Sequence, residues 1–332
     1  MNILVTGGSG FLGANVCHQF LTEGHTLISY DLSYRMPKFL KPFENDERFI
    51  YVKGDITDPW NLAATVAQHK VTHIIHTATL TDDKGSIPRP YQCVSAPILG
   101  ALHLLEIARI FKIRRLICIS SRAALGSYAP EQGPLGEDFP FRPEAFYGAS
   151  KACVDIILPL YRAHHKVDAV SVRPTAIFGP GQGEGVAGAF GGIGAVGMTT
   201  PIFNILTCVL RGKPYVLPSG GDYRVEVTYV KDLIRGMKRI LEAEHVKYPA
   251  YNMSSGKALP ISEYGAMIKK LLPDAQIEIG PGLLDGVKLR AAMDTRRAKD
   301  EFGYEHSPME ACIVDFIEYL RSTIGTQWGK AA

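Results

Sequence analysis

Residues 1–13 read MNILVTGGSGFLG, and this stretch decides the fold. The β-prone run Ile3–Thr6 predicts a short buried strand, and residues 14–22 predict a helix. The turn between them contains Gly7, Gly10 and Gly13. Glycine at the first position permits a tight turn, at the second it lets the backbone approach a pyrophosphate, and at the third it lets the helix pack closely. The pattern therefore predicts a dinucleotide site, and the alternative is a glycine-rich turn between two buried elements.

The start of this helix and the end of the next strand refine the prediction. The backbone N–H groups near Phe11 and Leu12, with the positive end of the helix dipole, favour a phosphate group. Asp31 follows the predicted strand Thr26–Tyr30, where an acid can hydrogen-bond a ribose 2′-hydroxyl. Because its charge repels a 2′-phosphate, we predict NAD rather than NADP, a preference that Arg35 could soften. The alternative role for Asp31 is a helix cap or a turn residue.

The composition is typical of a soluble globular protein, with 46% hydrophobic and 21% charged residues. A net charge of +3, with scattered basic residues, argues against nucleic-acid binding. We expect neither a membrane segment nor a signal peptide, since no apolar run reaches membrane length and the first strand begins at once. The six cysteines are dispersed without a CxxC pair, which predicts a reduced, cytoplasmic protein. No group of His, Asp, Glu or Cys has the spacing of metal ligands, so no metal is expected.

Strand and helix signals alternate through the first half of the chain. Further strands are predicted at Phe49–Lys53, Thr72–His76 and Arg115–Ser120, and helices at 59–68 and 96–111. The alternation predicts an α/β fold of the Rossmann type, a doubly wound parallel sheet with helices on both faces. Ligands of such sheets lie beyond the carboxyl ends of the strands. One edge should therefore collect Asp31, Asp55, Thr77–Thr79 and Ser120–Ser121.

Tyr147 and Lys151 are four residues apart in a predicted helix, so their side chains share one face. A phenol with its ordinary pKa of about 10 is a poor base at neutral pH, and a neighbouring ammonium group lowers that pKa. The hydroxyl of Ser121 can hold a substrate oxygen beside the phenol. These residues predict a proton-transfer site next to a hydride acceptor. Alone, the YxxxK spacing is also a common surface-helix pattern.

Four motifs together resemble those of the extended short-chain dehydrogenase/reductases: TGxxGxxG at 6–13, GDITD at 54–58, SSxxxxG at 120–126 and YxxxK at 147–151. More closely, they resemble the NAD-dependent epimerase/dehydratase family, which includes UDP-galactose 4-epimerase. The resemblance continues through 172–181 and 221–232. It implies an NAD-dependent enzyme that oxidises a secondary alcohol of a sugar or nucleotide sugar, most simply an epimerase.

The resemblance also implies residue roles. The catalytic residues would be Ser121, Tyr147 and Lys151. NAD would contact Gly7, Gly10, Phe11, Leu12, Gly13, Asp31, Asp55, Ile56, Thr77, Ala78, Thr79, Ser120, Tyr147, Lys151 and Pro174. The substrate would contact Thr79, Ser121, Arg122, Tyr147, Thr175 and Arg224. Arg224 would meet substrate phosphates, and its alternative is a surface ion pair with Asp222 or Glu226.

Two departures from the family pattern bear on the substrate. Thr175 stands where nucleotide-sugar epimerases usually have an asparagine, which weakens a UDP-sugar assignment. Arg122-Ala123 follow Ser121 where dehydratases typically have Asp-Glu, which disfavours a dehydratase. Two alternatives to an epimerase stay open. One is an NAD-dependent dehydrogenase of a small hydroxy compound, and the other is a binding protein that senses NAD.

We expect two lobes in the chain. Residues 1–174 would form the NAD-binding domain, and residues 175–332 mainly a smaller α/β substrate lobe, with the chain crossing back around 225–255. The glycine-rich segment 181–197 is interpreted as a mobile flap over the substrate, or else as a loose surface loop. A helix capped by Ser262 is predicted in this lobe. The family resemblance further implies a homodimer formed through a four-helix bundle.

Overall fold

The structure is a computed structural model that describes residues 1–33, 36–79, 90–183, 200–283 and 289–327. Arg35 and residues 184–197 of the glycine-rich segment lie outside the described residues. The strands are β1 (Asn2–Thr6), β2 (Thr26–Asp31), β3 (Phe49–Lys53), β4 (His73–His76), β5 (Arg115–Ile119), β6 (Ala169–Arg173), β7 (Ala176–Phe178), β8 (Tyr215–Leu217), β9 (Arg224–Tyr229), β10 (Ala250–Asn252), β11 (Ala258–Pro260) and β12 (Ile277–Ile279).

The helices alternate with these strands through the first half of the chain. They are α1 (Phe11–Thr22), α2 (Pro59–Gln68), α3 (Pro90–Ile110), α4 (Phe146–His165), α5 (Pro201–Val209), α6 (Val230–Glu242), α7 (Ile261–Leu271), α8 (Arg296–Phe302) and α9 (Met309–Gln327). Helix α2 begins as predicted, since the Asp58 carboxylate accepts hydrogen bonds from the backbone N–H groups of Trp60 and Asn61.

The centre of the molecule is a seven-stranded sheet with the order β10-β6-β5-β4-β1-β2-β3. Every neighbouring pair in it is parallel. Successive side chains of a strand point to opposite faces, so in β1 Ile3 and Val5 pack with α1 and α6, whereas Leu4 packs with α2, α3 and α4. The predicted Rossmann-type fold with helices on both faces is confirmed. All these strands end at one edge of the sheet.

The second half of the chain forms two small sheets over a separate core. One sheet has the order β11-β9-β7 and the other pairs β12 with β8. Their core includes Phe178, Phe203, Tyr264 and Phe316. Between the two small sheets in sequence, β10 returns to the large sheet and pairs with β6. The large sheet is thus completed by a strand from the second half of the chain.

Two element boundaries differ from the sequence prediction. Helix α3 begins at Pro90, so Pro97 lies inside the helix instead of near its start. Helix α7 begins at Ile261 with Pro260 as its N-cap residue, so Ser262 is not the cap. The reason is that β11 runs directly into α7, and Pro260, with its fixed φ and missing N–H group, is suited to the junction.

Helix α3 also corrects the expectation about membrane length. Its 21 residues, with a mean hydropathy of 1.5, are long and apolar enough to cross a membrane. However, Cys93, Ala101, Leu104 and Leu105 of this helix are buried in the protein, where the helix packs against α4 and the sheet. The buried face of α3 therefore belongs to the core of the protein.

Candidate active site

The glycine turn packs tightly between β1 and the end of β4. Gly7 has φ +72°, and a Cβ atom on it would lie 2.8 Å from the Cα atom of Ala78. A Cβ atom on Gly13 would lie 2.1 Å from the carbonyl oxygen of Gly7. The N–H group of Gly10 donates to that same oxygen over 3.0 Å. These contacts require glycine and bring the start of α1 close to the end of β1.

The start of α1 has the features of an anion site. Gly10 is the N-cap residue, no side chain caps the helix, and its first turn contains no acidic residue. The first backbone N–H groups of a helix have no partner within the helix, and they carry the positive end of its dipole. The turn that leads into the helix is built from glycines, and Cβ atoms on Gly7 and Gly13 would collide with Ala78 and with the Gly7 carbonyl group. This cradle at the start of α1 therefore fits the pyrophosphate of a dinucleotide such as NAD.

The predicted ribose and adenine contacts lie at the ends of β2 and β3. The Asp31 carboxylate accepts hydrogen bonds from the backbone N–H groups of Ser9 at 3.0 Å and Ser33 at 3.4 Å. It thus sits beside the glycine turn. The Asp55 carboxylate accepts from the N–H and hydroxyl groups of Thr57, both at 2.8 Å, and Ile56 is buried. Asp31 thus links the end of β2 to the glycine turn, whereas Asp55 stabilises its own turn.

Three predicted cofactor residues follow β4. The Thr77 hydroxyl donates to the carbonyl oxygen of Thr6 over 2.8 Å, and Ala78 packs against Gly7. The Thr79 hydroxyl oxygen is buried and has no hydrogen-bond partner within the described parts of the chain. A buried hydroxyl of this kind is ready to bond a ligand.

The three predicted catalytic residues come from β5 and α4. Ser121 is the second residue after β5, and its hydroxyl oxygen accepts a hydrogen bond from the N–H group of Ala123 at 3.1 Å. A Cβ atom on Gly148 would lie 2.5 Å from the Ala123 carbonyl oxygen, so this glycine lets α4 approach the turn after Ser121. That approach brings the residues adjoining Tyr147 on α4 against the turn that carries Ser121.

Lys151 is held rigidly beside Tyr147. Its ammonium group donates to the carbonyl oxygen of Ile119 over 2.8 Å and lies 5.6 Å from the centre of the Tyr147 ring. The side chain is 4% exposed, and burial lowers the pKa of Lys151 to about 8. Because that pKa is above 7, the ammonium form prevails at neutral pH and can stabilise a phenolate.

A buried polar cluster under the lysine was not predicted from the sequence. The Asp155 carboxylate accepts hydrogen bonds from the hydroxyls of Ser120, at 2.8 Å, and Ser171, and from Nε of Arg173 at 2.7 Å. The Ser120 hydroxyl thus points to Asp155. Asp155 stands four residues after Lys151, so the helical spacing used for Tyr147 and Lys151 could have revealed it.

The polar groups of two predicted substrate residues, Arg122 and Thr175, form hydrogen bonds with other groups of the protein. The Arg122 guanidinium donates to the carbonyl oxygens of Ala291 at 3.0 Å and Gly126 at 3.4 Å, and burial lowers its pKa to about 10. The Thr175 hydroxyl lies 2.9 Å from that of Thr228. Both side chains are therefore engaged in hydrogen bonds within the protein.

Pro174 and Arg224 are the remaining predicted site residues. The Pro174 carbonyl oxygen accepts the N–H group of Arg122 at 3.0 Å. Arg224 is exposed at the start of β9 and donates to the Ala258 carbonyl oxygen over 3.4 Å. Within the described ranges, it forms no ion pair with Asp222 or Glu226, since those carboxylates accept backbone and hydroxyl hydrogen bonds elsewhere. Its guanidinium therefore remains accessible.

In two groups of side chains the possible metal-ligand atoms lie within 4.8 Å of one another, which the sequence spacing did not indicate. They are Asp232 with His306 and Cys312, and Glu23 with His25 and Glu242. In the first group the Asp232 carboxylate accepts hydrogen bonds from the N–H and hydroxyl groups of Ser307 and from Arg235. Both of its oxygens thus have protein partners.

Comparison with known proteins agrees with this geometry. Residues 3–254 match the model of the NAD dependent epimerase/dehydratase family. This match covers more than half of the chain, and the protein belongs to that family. It is therefore an NAD-dependent enzyme, and the cradle at the start of α1 fits its cofactor.

Individual relatives extend the likeness to the whole chain. A UDP-glucose 4-epimerase of Mycolicibacterium smegmatis is 32% identical, over 97% of this chain and 99% of the relative. The structure of a Thermus thermophilus UDP-glucose 4-epimerase with NAD matches with a TM-score of 0.79 at 22% identity, covering 97% of this chain and all of that one. A Bacillus anthracis dTDP-glucose 4,6-dehydratase with NAD matches with a TM-score of 0.80 at 24% identity, covering 97% of both chains. The fold is thus common to epimerases and dehydratases.

The pKa of Lys151 makes the stability of the protein depend on pH. The folded lysine loses its proton near pH 8, whereas an unfolded lysine does so near about 10.4. Between these values the unfolded state binds more protons, so stability rises with pH. Relative to Lys151→Met, the free energy of unfolding of the wild type should increase by about 2–3 kcal/mol from pH 7 to pH 10. Urea unfolding at both pH values measures this.

The exposed Lys213 provides the control. The difference between the wild type and Lys213→Met should stay constant over the same pH range. A Lys151→Met difference that is equally constant would contradict the lowered pKa.

Proposed function

We propose that the protein is a nucleotide-sugar epimerase that inverts a secondary alcohol of the sugar ring. The observation that carries the proposal is the buried Lys151 ammonium group beside Tyr147, on the helix that packs against the turn after Ser121. The likeness to a UDP-glucose 4-epimerase over nearly the whole of both chains supports the nucleotide sugar as substrate. UDP-glucose and UDP-galactose are the first pair to test.

Each of the three side chains has a separate role in the proposed reaction. The Ser121 hydroxyl holds the sugar oxygen, and the Tyr147 phenolate removes its proton while the Lys151 ammonium group stabilises that phenolate. NAD, when bound in the turn at the start of α1, would supply the hydride chemistry of both half-reactions. Return of the proton from Tyr147 to the keto oxygen, after the sugar has presented its other face, completes the inversion. The chain thus needs an enclosed site that retains the keto sugar between the two steps.

A second candidate is a dehydrogenase of a smaller hydroxy compound. The inward hydrogen bonds of Arg122 and Thr175 favour it, because two groups expected to meet a nucleotide sugar are engaged within the protein. In this case the ketone leaves after the first hydride transfer. A dehydrogenase would accumulate one reduced cofactor for each product, and an epimerase would not.

The lobes and the remaining site residues belong to the same proposal. We infer that residues 1–174 bind NAD and that residues 175–332 mainly bind the substrate. The accessible Arg224 guanidinium suits the diphosphate, because it offers a rigid, permanently charged fork. All six cysteines are free, which supports a reducing, cytoplasmic location.

Turnover and the role of Tyr147 can be tested together. Proton NMR should show interconversion of UDP-glucose and UDP-galactose with catalytic NAD and no net NADH. Tyr147→Phe should lower kcat by about 10²–10⁴-fold, because it removes the proton-transfer group. Its affinity for NAD should remain within a few-fold of the wild type.

Tyr161→Phe on the same helix is the matched control and should keep its activity. Stoichiometric NADH with a small alcohol, without inversion of any nucleotide sugar, would favour the dehydrogenase. A wild type that binds NAD but is inert to both substrate classes would favour an NAD-sensing protein.

We also propose that the protein forms a homodimer through α3 and α4. Several large apolar side chains on these adjacent helices are exposed, among them Leu99, Ile110, Ile156 and Leu160. Pairing this face with its copy would bury them in a four-helix bundle. Such a contact removes apolar area from water on both chains.

Sedimentation velocity of the wild type should give a dimer. The double variant Ile156→Glu with Leu160→Glu should be monomeric, because it places charges in the apolar contact. Val216→Glu, at an exposed apolar residue of β8, should remain dimeric. If the double variant forms dimers that are as stable as those of the wild type, this interface is excluded.

A further inference from the structure

Asp155 is a buried charge for which the proposed reaction has no direct use. Its side chain is fully buried, and it stands one helical turn after Lys151 on α4. Three donors converge on its carboxylate, namely the hydroxyls of Ser120 and Ser171 and Nε of Arg173. These donors come from β5 and β6, so the carboxylate is fixed between the helix and the sheet.

We propose that Asp155 is a positioning residue, whose fixed negative charge one turn from Lys151 keeps the lysine in the charged form that Tyr147 requires. This inference rests on the proposed roles of Tyr147 and Lys151 in proton transfer. Asp155 touches neither the substrate nor the cofactor in this scheme and acts through the lysine alone.

Stability alone is a weak reason for such a pair. Taking a carboxylate and a guanidinium out of water costs several kcal/mol for each ion, and a well-packed apolar pair of the same volume is often as stable. Asp155 is 5% exposed and Arg173 is 3% exposed, and the pair lies directly beneath the proposed site. A local electrostatic role explains why ions occupy this position.

The groups that face Lys151 leave the carboxylate as the effective negative charge. Burial is the largest influence and lowers the pKa of Lys151, while Cys118, Asp155 and Cys93 act in the opposite direction. Burial raises the pKa of the Cys118 thiol to about 12, so this group is neutral when the lysine titrates. From β4, His76 contributes no charge, since burial and Lys151 lower its pKa to about 3.

Within the described part of the chain, the remaining neighbours are Cys93 on α3, a buried thiol, and the Tyr147 phenol on the same helix. Among these described groups, Asp155 is the carboxylate that opposes the effect of burial. Without it, more of the lysine would be neutral at neutral pH, and the phenolate would lose its support.

Arg173 ties this charge to the rest of the protein. Its Nη1 donates to the Glu137 carbonyl oxygen over 2.7 Å. The Glu137 carboxylate in turn accepts the N–H group of Asn252 at 2.9 Å and lies 3.4 Å from Nε of Arg297. Because Asn252 is on β10 and Arg297 is on α8, elements from the second half of the chain hold the pair in place.

The ionisation of Lys151 can be read directly from the full-length protein. ¹³C NMR of protein labelled at the lysine Cε atoms follows the titration, and Lys151→Arg assigns the signal. In the wild type the midpoint should lie near pH 8, below those of surface lysines. In Asp155→Asn it should fall by about one pH unit or more, because the opposing charge is gone and Arg173 remains.

Two further variants serve as a control and as a replacement if the first variant does not fold. Arg173→Lys preserves an ion pair and should move the midpoint much less than Asp155→Asn. If Asp155→Asn does not fold, the double variant Asp155→Asn with Arg173→Gln replaces the ion pair by two neutral amides, and its midpoint should also fall. An unchanged midpoint in a folded variant that lacks the Asp155 charge would overturn the proposal.

The same variants separate this inference from the proposed reaction. The alkaline limb of the kcat–pH profile should move with the NMR midpoint, while KM changes less than about twofold. A shifted midpoint in a protein that inverts no nucleotide sugar would contradict the proposed function alone. Epimerase activity with an unshifted midpoint would contradict the role of Asp155 alone.

Discussion

The close approach of α1 to the end of β1 is the contact on which the rest of the site depends. It is possible because Gly13 faces the Gly7 carbonyl oxygen, where a Cβ atom would lie 2.1 Å away. The same oxygen accepts the N–H group of Gly10, so the turn and the first turn of the helix form one unit. Ala78, at the exit of β4, packs on the other side of Gly7. The close backbone packing of these glycines therefore sets the position of the anion cradle relative to the strand ends.

In the proposed mechanism, the charge of Lys151 depends on a balance of two opposing electrostatic effects. Burial of Lys151 favours its neutral form, and the Asp155 carboxylate opposes that effect. A lysine left fully in water would be charged but screened, and it would stabilise a phenolate weakly. Without the carboxylate, a larger fraction of the buried lysine would be neutral. We infer that the cluster beneath α4 places Lys151 between these extremes.

The sequence revealed features whose causes are local. The glycine spacing, the Asp58–Pro59 helix start and the alternation of strands and helices each reflect the conformational preferences of a few neighbouring residues, and all are present in the structure. Because proline is common in the first helical turn, the sequence predicted that α3 starts at residue 96, just before Pro97. In the structure the helix starts at Pro90 and accommodates Pro97 in its interior.

Long-range packing accounts for what the sequence did not reveal. The return of β10 to the large sheet joins residues far apart in the chain, and a three-residue strand has little pattern of its own. The inward direction of the Arg122 guanidinium depends on the Ala291 carbonyl oxygen, 169 residues away. The Asp155 cluster combines α4 with two strands, so spacing within one helix reveals only one member of it.

Calorimetric titration of NAD into the protein, freed of any co-purified dinucleotide, tests the role of the glycine turn most directly. Gly13→Ala should weaken binding at least about tenfold, because the added methyl group displaces the start of α1 from the turn. Gly136→Ala is the matched control, since a Cβ atom there would meet nothing within 4 Å, and its affinity should equal that of the wild type. Equal affinities of Gly13→Ala and the wild type would contradict the account.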